Sequence, residues 1–494
     1  MTITQGGVDP DYTYSAVISS ASLDAINMNR NRDTWLIDPI NASTRSLYLT
    51  TNETNQMSIS ATEPWEIEIN EPNRGMRSLA KSGLRDAEPE PTIEIDQMSG
   101  DAGVYTLNIL STTDQNTGFT IRGLESGTEV TVQARSLANY FTIESLEDGN
   151  VITWISKGTP QYIDYSLDDG ATWTTTVFTE VSGVNICEIN LDEGEKALFR
   201  GNNDAYSYQN ASTNGSRFAS TKRVNVYGNL CSLTNASNFE NRALSAPYAF
   251  ANFFGSNNTP ISGNYLKVED AGNLVMPISL TESCFANMFS GCTQLEIAPK
   301  LDAANVPSYA YLEMFSNCFG LLASPEIDAT VVGEGGMTDM FYHCTSLETA
   351  PEELSAKYLA DYCYNGMFDG CTSLDAAPAL PATVLKQYCY EDMFKGCSSL
   401  EAAPELPATT LAGRCYKGMF QNCTGLLEAP ELPAIDIAIE CYHSMFSGCS
   451  ALETAPELPA TTLAAGCYQS MFQGTALTST PVLPATTLEA SCYS

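Results

Sequence analysis

The pair Met-Phe returns at Met288, Met314, Met340, Met367, Met393, Met419, Met445 and Met471, a period of 26 residues with one step of 27. A period of this length marks an array whose units are each too small to bury an apolar face, so that stacking on neighbours must supply the core. A divergent opening copy sits at 249–256, AFANFFGS, whose FANFF echoes FANMF at 285–289. About half of the 494 residues therefore belong to one repeating object.

Each unit carries its own pattern. In PATTLAGRCYKGMFQNC, Leu411, Cys415, Tyr416, Met419 and Phe420 lie at i, i+4, i+5, i+8 and i+9, a spacing that predicts one face of a helix. Thr409 or Thr410 suits the N-cap, where a hydroxyl accepts an orphan backbone N–H. The column Gly291, Asn317, His343, Gly370, Gly396, Asn422, Gly448 and Gly474 is the expected C-terminal cap, because Gly enters the left-handed region freely and Asn and His more readily than most. The prolines of TGLLEAPELP predict an extended segment after it. The expected interior of two neighbouring units is Cys389, Tyr390, Met393 and Phe394, then Cys415, Tyr416, Met419 and Phe420.

The 16 cysteines invite a metal or disulfide reading. Zinc sites usually pair ligands at short spacings with histidine, whereas here the spacing is C-x7-C and the chain has two histidines. A bridge within one unit would span about 12 Å of helix axis, beyond the roughly 7 Å that a disulfide tolerates between α-carbons. Bridges between neighbouring coils stay open as an alternative. The column of Cys363, Cys389, Cys415, Cys441 and Cys467 holds Ala310 and Gly336 in earlier copies, and the second column ends in Thr475. Small size is what the first column shares, so its thiols read as small buried hydrophobes. Tyr364, Tyr390, Tyr416, Tyr442 and Tyr468 share the apolar face and read as core filling, with an aromatic ligand row as the alternative. Glu401, Glu428 and Glu453, with Glu405, Glu431 and Glu457 beside them, read as a solvated acidic row, with a cation- or receptor-binding face as the alternative.

MFSGCSALETAPELP, at 445–459, resembles the BspA-like leucine-rich repeats of bacterial surface and phage proteins. The resemblance covers roughly residues 245–494 and implies an α/β solenoid, each unit a helix followed by a short strand. The last residues, Cys492-Tyr493-Ser494, fall in mid-repeat, so the expectation is that the native polypeptide continues or that another subunit covers this end.

The first half has a different texture. Residues 41–137 alternate polar and apolar in stretches such as YTLNILST and TEVTVQAR, which predicts a β-sandwich. Trp65, SGDAGVYTLNI at 99–109 and the closing TVQA resemble BACON domains, small immunoglobulin-like sandwiches, with residues 73–91 as an insertion. A second small sandwich is expected at 138–205. Its YSLDDGATW, at 165–173, matches the S-x-D-x-G-x-T-W box of sialidases. One such box is a hairpin turn; a sialidase would need several, with an arginine cluster. Residues 1–40 are then an anchoring segment and 206–244 a connector. The expected fold class is multidomain: N-terminal all-β immunoglobulin-like sandwiches, then a C-terminal α/β leucine-rich-repeat solenoid of about 26-residue units.

Lys and Arg total 23 against 59 for Asp and Glu, a net charge of -36. Such a field repels nucleic acid and anionic lipid. The start, MTITQGGVDPDY, shows no secretory pattern, and no run of 18 apolar residues follows; the expectation is a protein made in a reducing cytosol, with idle sequons at Asn210, Asn214 and Asn235. No nucleotide loop, metalloprotease helix or nucleophile elbow is present, so neither an enzyme nor a cofactor is expected. Arg30, Arg32, Arg45, Arg74, Arg77, Lys81 and Arg85 are seven of the 23 basic residues; Arg30, Arg32, Arg74, Arg77, Lys81 and Arg85 form a candidate anchoring surface. Taken with the two resemblances, the chain is similar to virion fibre or appendage proteins of Bacteroidetes-infecting, crAss-like phages. That implies assembly into a virion in the host cytoplasm, contacts with other virion proteins through the N-terminal region, and contact with a host-surface glycan or protein through the solenoid. Fibres of this kind are homo-oligomers, commonly trimers, although no heptad run here specifies three strands. A bacterial surface adhesin and a carbohydrate-binding module are the rival readings.

Overall fold

The computed structural model describes side chains over 139–207, 215–255 and 265–493, and at 64–68, 95, 97–101 and 122; elsewhere before residue 139 it describes only strand backbone. Two compact units result, Met1–Tyr140 and Phe141–Ser494.

The first unit is β throughout its described residues. One sheet centres on the antiparallel pair Thr54–Ala61 and Gly103–Ser111, and a second runs Ser43–Leu49, Glu129–Ser136, Thr117–Gly123, Trp65–Asn70, Ser99–Gly100. In Trp65–Asn70, Trp65 and Ile67 are buried while Glu66 and Glu68 are exposed, the period of two that a half-buried strand requires.

The second unit opens with two facing sheets. Phe141–Ser145 lies between Lys196–Arg200 and Val224–Asn229 in one; Asn150–Lys157 lies between Val184–Leu191 and Arg217–Ser220 in the other. Phe141, Trp154, Phe199 and Phe218 fill the space between them, with Trp154 and Phe199 each 4.7 Å from the Phe218 ring. This core does not close. Phe141 stacks on Phe254 at 5.8 Å, and from Phe254 one ring per coil continues through Phe289, Phe315, Phe341, Phe368, Phe394, Phe420, Phe446 and Phe472 at 5.2–5.8 Å. Val224–Asn229 also pairs in parallel with Val268–Asp270, so the sandwich passes into the coils without a break in sheet or core.

The described residues of the coils contain no α-helix, and this overturns the α/β solenoid expected above. Among the described residues the only helical segments are two short 3-10 turns, Leu230–Leu233 and Phe239–Asn241. The reason lies in the backbone. Arg414, Gly418 and Asn422 have φ of 58°, 62° and 63°, so every fourth residue is left-handed, which no α-helix permits. Between them, Cys415, Lys417, Met419, Gln421 and Cys423 donate to carbonyls three residues back at 2.9–3.4 Å, closing successive turns. Arg414, Tyr416, Gly418, Phe420 and Asn422 instead donate to Ile439, Cys441, His443, Met445 and Ser447 of the next coil at 2.7–3.0 Å. Alternate N–H groups thus serve the coil and its neighbour. A helix and this turn ribbon place apolar residues at the same i, i+4, i+8 positions, and nine residues are too few to separate a period of 4.0 from 3.6.

The cap column is reassigned accordingly. Gly370, Gly396, Asn422 and Gly448 have φ of 78°, 75°, 63° and 81°, and they end a run of turns, not a helix. Cys389, Tyr390, Met393 and Phe394, like Cys415, Tyr416, Met419 and Phe420, are buried, each no more than 1% exposed.

Two outcomes follow. Far-UV circular dichroism of the intact chain will lack the helical double minimum. Gly418→Val, which would put a β-branched side chain at positive φ and overlap the Asp392 carboxylate, will lower stability by about 1–3 kcal/mol, measured by urea denaturation.

Candidate functional site

The residues five before each Met-Phe pair are Ser283, Tyr309, Gly335, Tyr362, Tyr388, Arg414, Glu440 and Gly466, and all have positive φ. The next two residues, Cys and Tyr in most copies, turn inward; Tyr309, Tyr362, Tyr388, Arg414 and Glu440 keep surface exposure, while Ser283, Gly335 and Gly466 are buried. Coil stacking therefore brings Tyr362 and Tyr388 face to face, with centroids 4.3 Å apart and planes 7° from parallel. The Arg414 guanidinium carbon lies 5.4 Å from the centre of the Tyr388 ring, its Nη1 donates to Tyr388 Oη at 2.8 Å, and its Nε and Nη2 donate to Glu440 at 2.8 and 3.1 Å. These bonds hold the Glu440 carboxyl below its usual range and push the Arg414 guanidinium up. Tyr309 Oη donates to Glu334 at 2.8 Å, which raises its phenol.

On the same coils, four residues earlier, Val331, Tyr358 and Val384 are exposed, Tyr358 by 75% and Val384 by 67%. Parallel bridges join Val331 to Tyr358 and Thr410 to Asp436 in this column. Lys357 and Lys386 are exposed beside it. The surface combines rings, hydroxyls, cations and carboxylates. Such a strip can stack against flat apolar faces and donate hydrogen bonds at its edges. Sequence reasoning missed it because its column changes residue type at almost every copy, and the repeat is defined by the columns that do not change. Writing the copies one under another would have shown Tyr362 and Tyr388 in register, followed by Arg414 and Glu440.

Arg30, Arg32, Arg74, Arg77, Lys81 and Arg85 lie outside the described residues. Tyr364, Tyr390, Tyr416 and Tyr442 stack at 5.8–5.9 Å inside the core, and Tyr390 Oη and Tyr416 Oη are buried without a partner. Glu401, Glu428 and Glu453 are exposed but do not form one row: Ala402 bridges Glu428, and Leu427 donates to the Glu401 carbonyl, taking the place between the other two. All sixteen cysteines are free and buried. The second column does more than fill space, since Cys397, Cys423 and Cys449 Sγ donate to the carbonyls of Phe368, Phe394 and Phe420 in the coil before, at 3.0–3.2 Å. In the last coil Thr475 Oγ1 donates to Phe472 O within its own coil. The box at 165–173 is a self-contained turn: Asp168 accepts from Ser166 Oγ, from Thr172 N and from Thr172 Oγ1 at 2.6–2.8 Å, bonds that hold its carboxyl low. Arg200 lies 4.2 Å over the Trp173 ring.

Among the described residues no group of three or more His, Cys, Asp or Glu is placed to hold a metal ion, and no helix is long and apolar enough to cross a membrane. Comparison with protein-family models, curated proteins and solved structures finds no match to this chain.

Stacking also crowds like charges. Burial, then the nearby Glu313, Asp369 and Asp392, push the Asp339 carboxyl up to about 6. A folded value above the unfolded one, about 3.9, means that the folded state holds the proton longer, so stability falls as pH rises from about 4 to 6. Asp339→Asn will therefore stabilise the chain at pH 7.5 by about 1–2 kcal/mol, after allowance for solvent screening of this partly exposed group. At pH 4 it will be near neutral; urea midpoints at both pH values check the sign.

Proposed function

We propose that this chain is a structural protein of a phage particle, a tail or head fibre or other appendage. Its N-terminal region joins it to the particle and its coil array contacts the host surface. The observation that carries the reading is the outward row Tyr362, Tyr388, Arg414 and Glu440, supported by exposed Tyr358. Tyrosine and arginine concentrate where binding energy is made, and a row fixed by inter-coil hydrogen bonds loses little side-chain freedom when a partner arrives. The resemblance of the repeat motif to those of phage and surface proteins supports the same reading, although the helix it implied is absent. The charge of -36 disfavours nucleic acid as the partner.

Mass spectrometry and immunogold labelling of purified particles will find this chain on the virion; its absence from particles would sink the proposal. On particles that carry it, the Tyr362→Ala, Tyr388→Ala double variant will assemble normally and adsorb to host cells about 30-fold less well, the loss expected for a hot-spot pair worth about 2 kcal/mol. Unchanged adsorption would move the contact elsewhere on the appendage.

A further inference from the structure

Arg217 is 6% exposed, yet its Nε has no hydrogen-bond partner and no carboxylate pairs with it among the described residues. It starts the edge strand Arg217–Ser220, opposite Ile155 of Asn150–Lys157. Phe218, its neighbour, points into the sandwich core against Trp154, so Arg217 lies on the other face of the sheet. The pairing continues past the strand end: Ser216 Oγ donates to Ser156 Oγ, directly opposite, at 3.1 Å. Carried one step further, the register sets Gly215 opposite Lys157, on the same face as Arg217. A side chain at Gly215 would come within 3.3 Å of Ser207 Oγ, and that hydroxyl is buried and also without a partner. The missing side chain at Gly215 thus lets the Ser207 hydroxyl approach the face of the sheet that carries Arg217 and Lys157.

A buried, unneutralised guanidinium is among the most costly things a fold can contain. Here a second cation adds to the cost. Burial and then Arg217 depress the Lys157 amine, and burial alone depresses Arg217, with no acidic group contributing to either. In a chain with 59 acidic residues, two cations meeting without one of them is a local inversion of the overall field. Neighbouring cations elsewhere in this sandwich are paired, Arg200 with Asp164 and Lys196 with Asp169.

We propose that Arg217, Lys157 and Ser207 form a binding site for an oxyanion group, a phosphate, sulfate or carboxylate, either free or carried on an acidic sugar. The guanidinium and the amine neutralise the charge, and the serine hydroxyl supplies a hydrogen bond. The site stands on these residues alone and is independent of the virion reading.

The test is thermal denaturation and calorimetric titration of the full chain with sodium phosphate, sodium glucuronate and a sulfated disaccharide, each against chloride at equal ionic strength. General stabilisation by excluded salts acts on every variant alike, so the difference between native and Arg217→Met is the readout. The native chain will show a saturable rise in melting temperature that Arg217→Met lacks, and in chloride Arg217→Met will melt no lower than native, because it removes an uncompensated charge. Lys157→Met, at a less buried position, will keep the fold and raise the half-saturating concentration about tenfold, the loss of one charge-assisted contact. Saturation by phosphate at the lowest concentration assigns a free oxyanion; saturation by either sugar below phosphate assigns an acidic glycan. The proposal is overturned if no anion separates native from Arg217→Met, or if Lys157→Met binds as the native chain does.

Discussion

The whole coil array depends on how one coil divides its backbone donors. In each turn ribbon, alternate N–H groups close turns within the coil and the remainder reach the carbonyls of the next. A helix would have turned the donors beyond its first turn inward and left adjacent units held mainly by side-chain packing. Here the backbone itself is the adhesive between coils, which is why an array built almost wholly of turns can be regular. The condition is a left-handed residue every fourth position, at about 1–2 kcal/mol for each that is not glycine. Tyr362, Tyr388, Arg414 and Glu440 all sit in that state, and the ladder bonds flanking them offset the cost.

The interior follows from the same constraint. Coils joined by backbone hydrogen bonds must lie close, so identical side chains fall almost on top of one another and only flat or small groups stack without collision. Phenylalanine at 5.2–5.8 Å and tyrosine at 5.7–5.9 Å meet that condition. Cysteine meets it differently, as a side chain small enough to stack and able to donate through Sγ to a phenylalanine carbonyl in the preceding coil. Desolvation keeps these thiols protonated, with Cys344 and Cys449 pushed up to about 12. A protonated thiol is what the donor role requires and what metal binding and disulfide exchange do not.

Periodicity, the burial of Met419, Phe420, Cys415 and Tyr416, and the left-handed column at Asn422 were legible in the sequence because each repeats with little change. The helix was misread because a four-residue ribbon and a helix differ only in residues between the apolar ones, where Arg414 and Gly418 carry the telling backbone angles. Tyr, Arg and Glu, unlike Gly, Asn or His, carry no sequence signature for positive φ, and here all three adopt it. The tyrosine row was hidden for a related reason: its chemistry comes from differences between copies, and a search for repeats discards differences. The oxyanion site could not be read at all, since Lys157, Ser207 and Arg217 belong to separate segments and only strand register brings them to one face.

Regular stacking also sets what can vary. Interior columns are copied from coil to coil because each ring must match the one above and below, so mutation there is felt twice. A surface column has only lateral neighbours, and a new residue in it need satisfy only the next coil. Tyr388 illustrates this, held between a ring on one side and a guanidinium on the other, while coils further along the array carry Gly335 and Gly466 in the same place. An array of this kind separates the two demands on a recognition protein. The ladder and the stacked rings fix position, and the left-handed surface residue is free to choose chemistry.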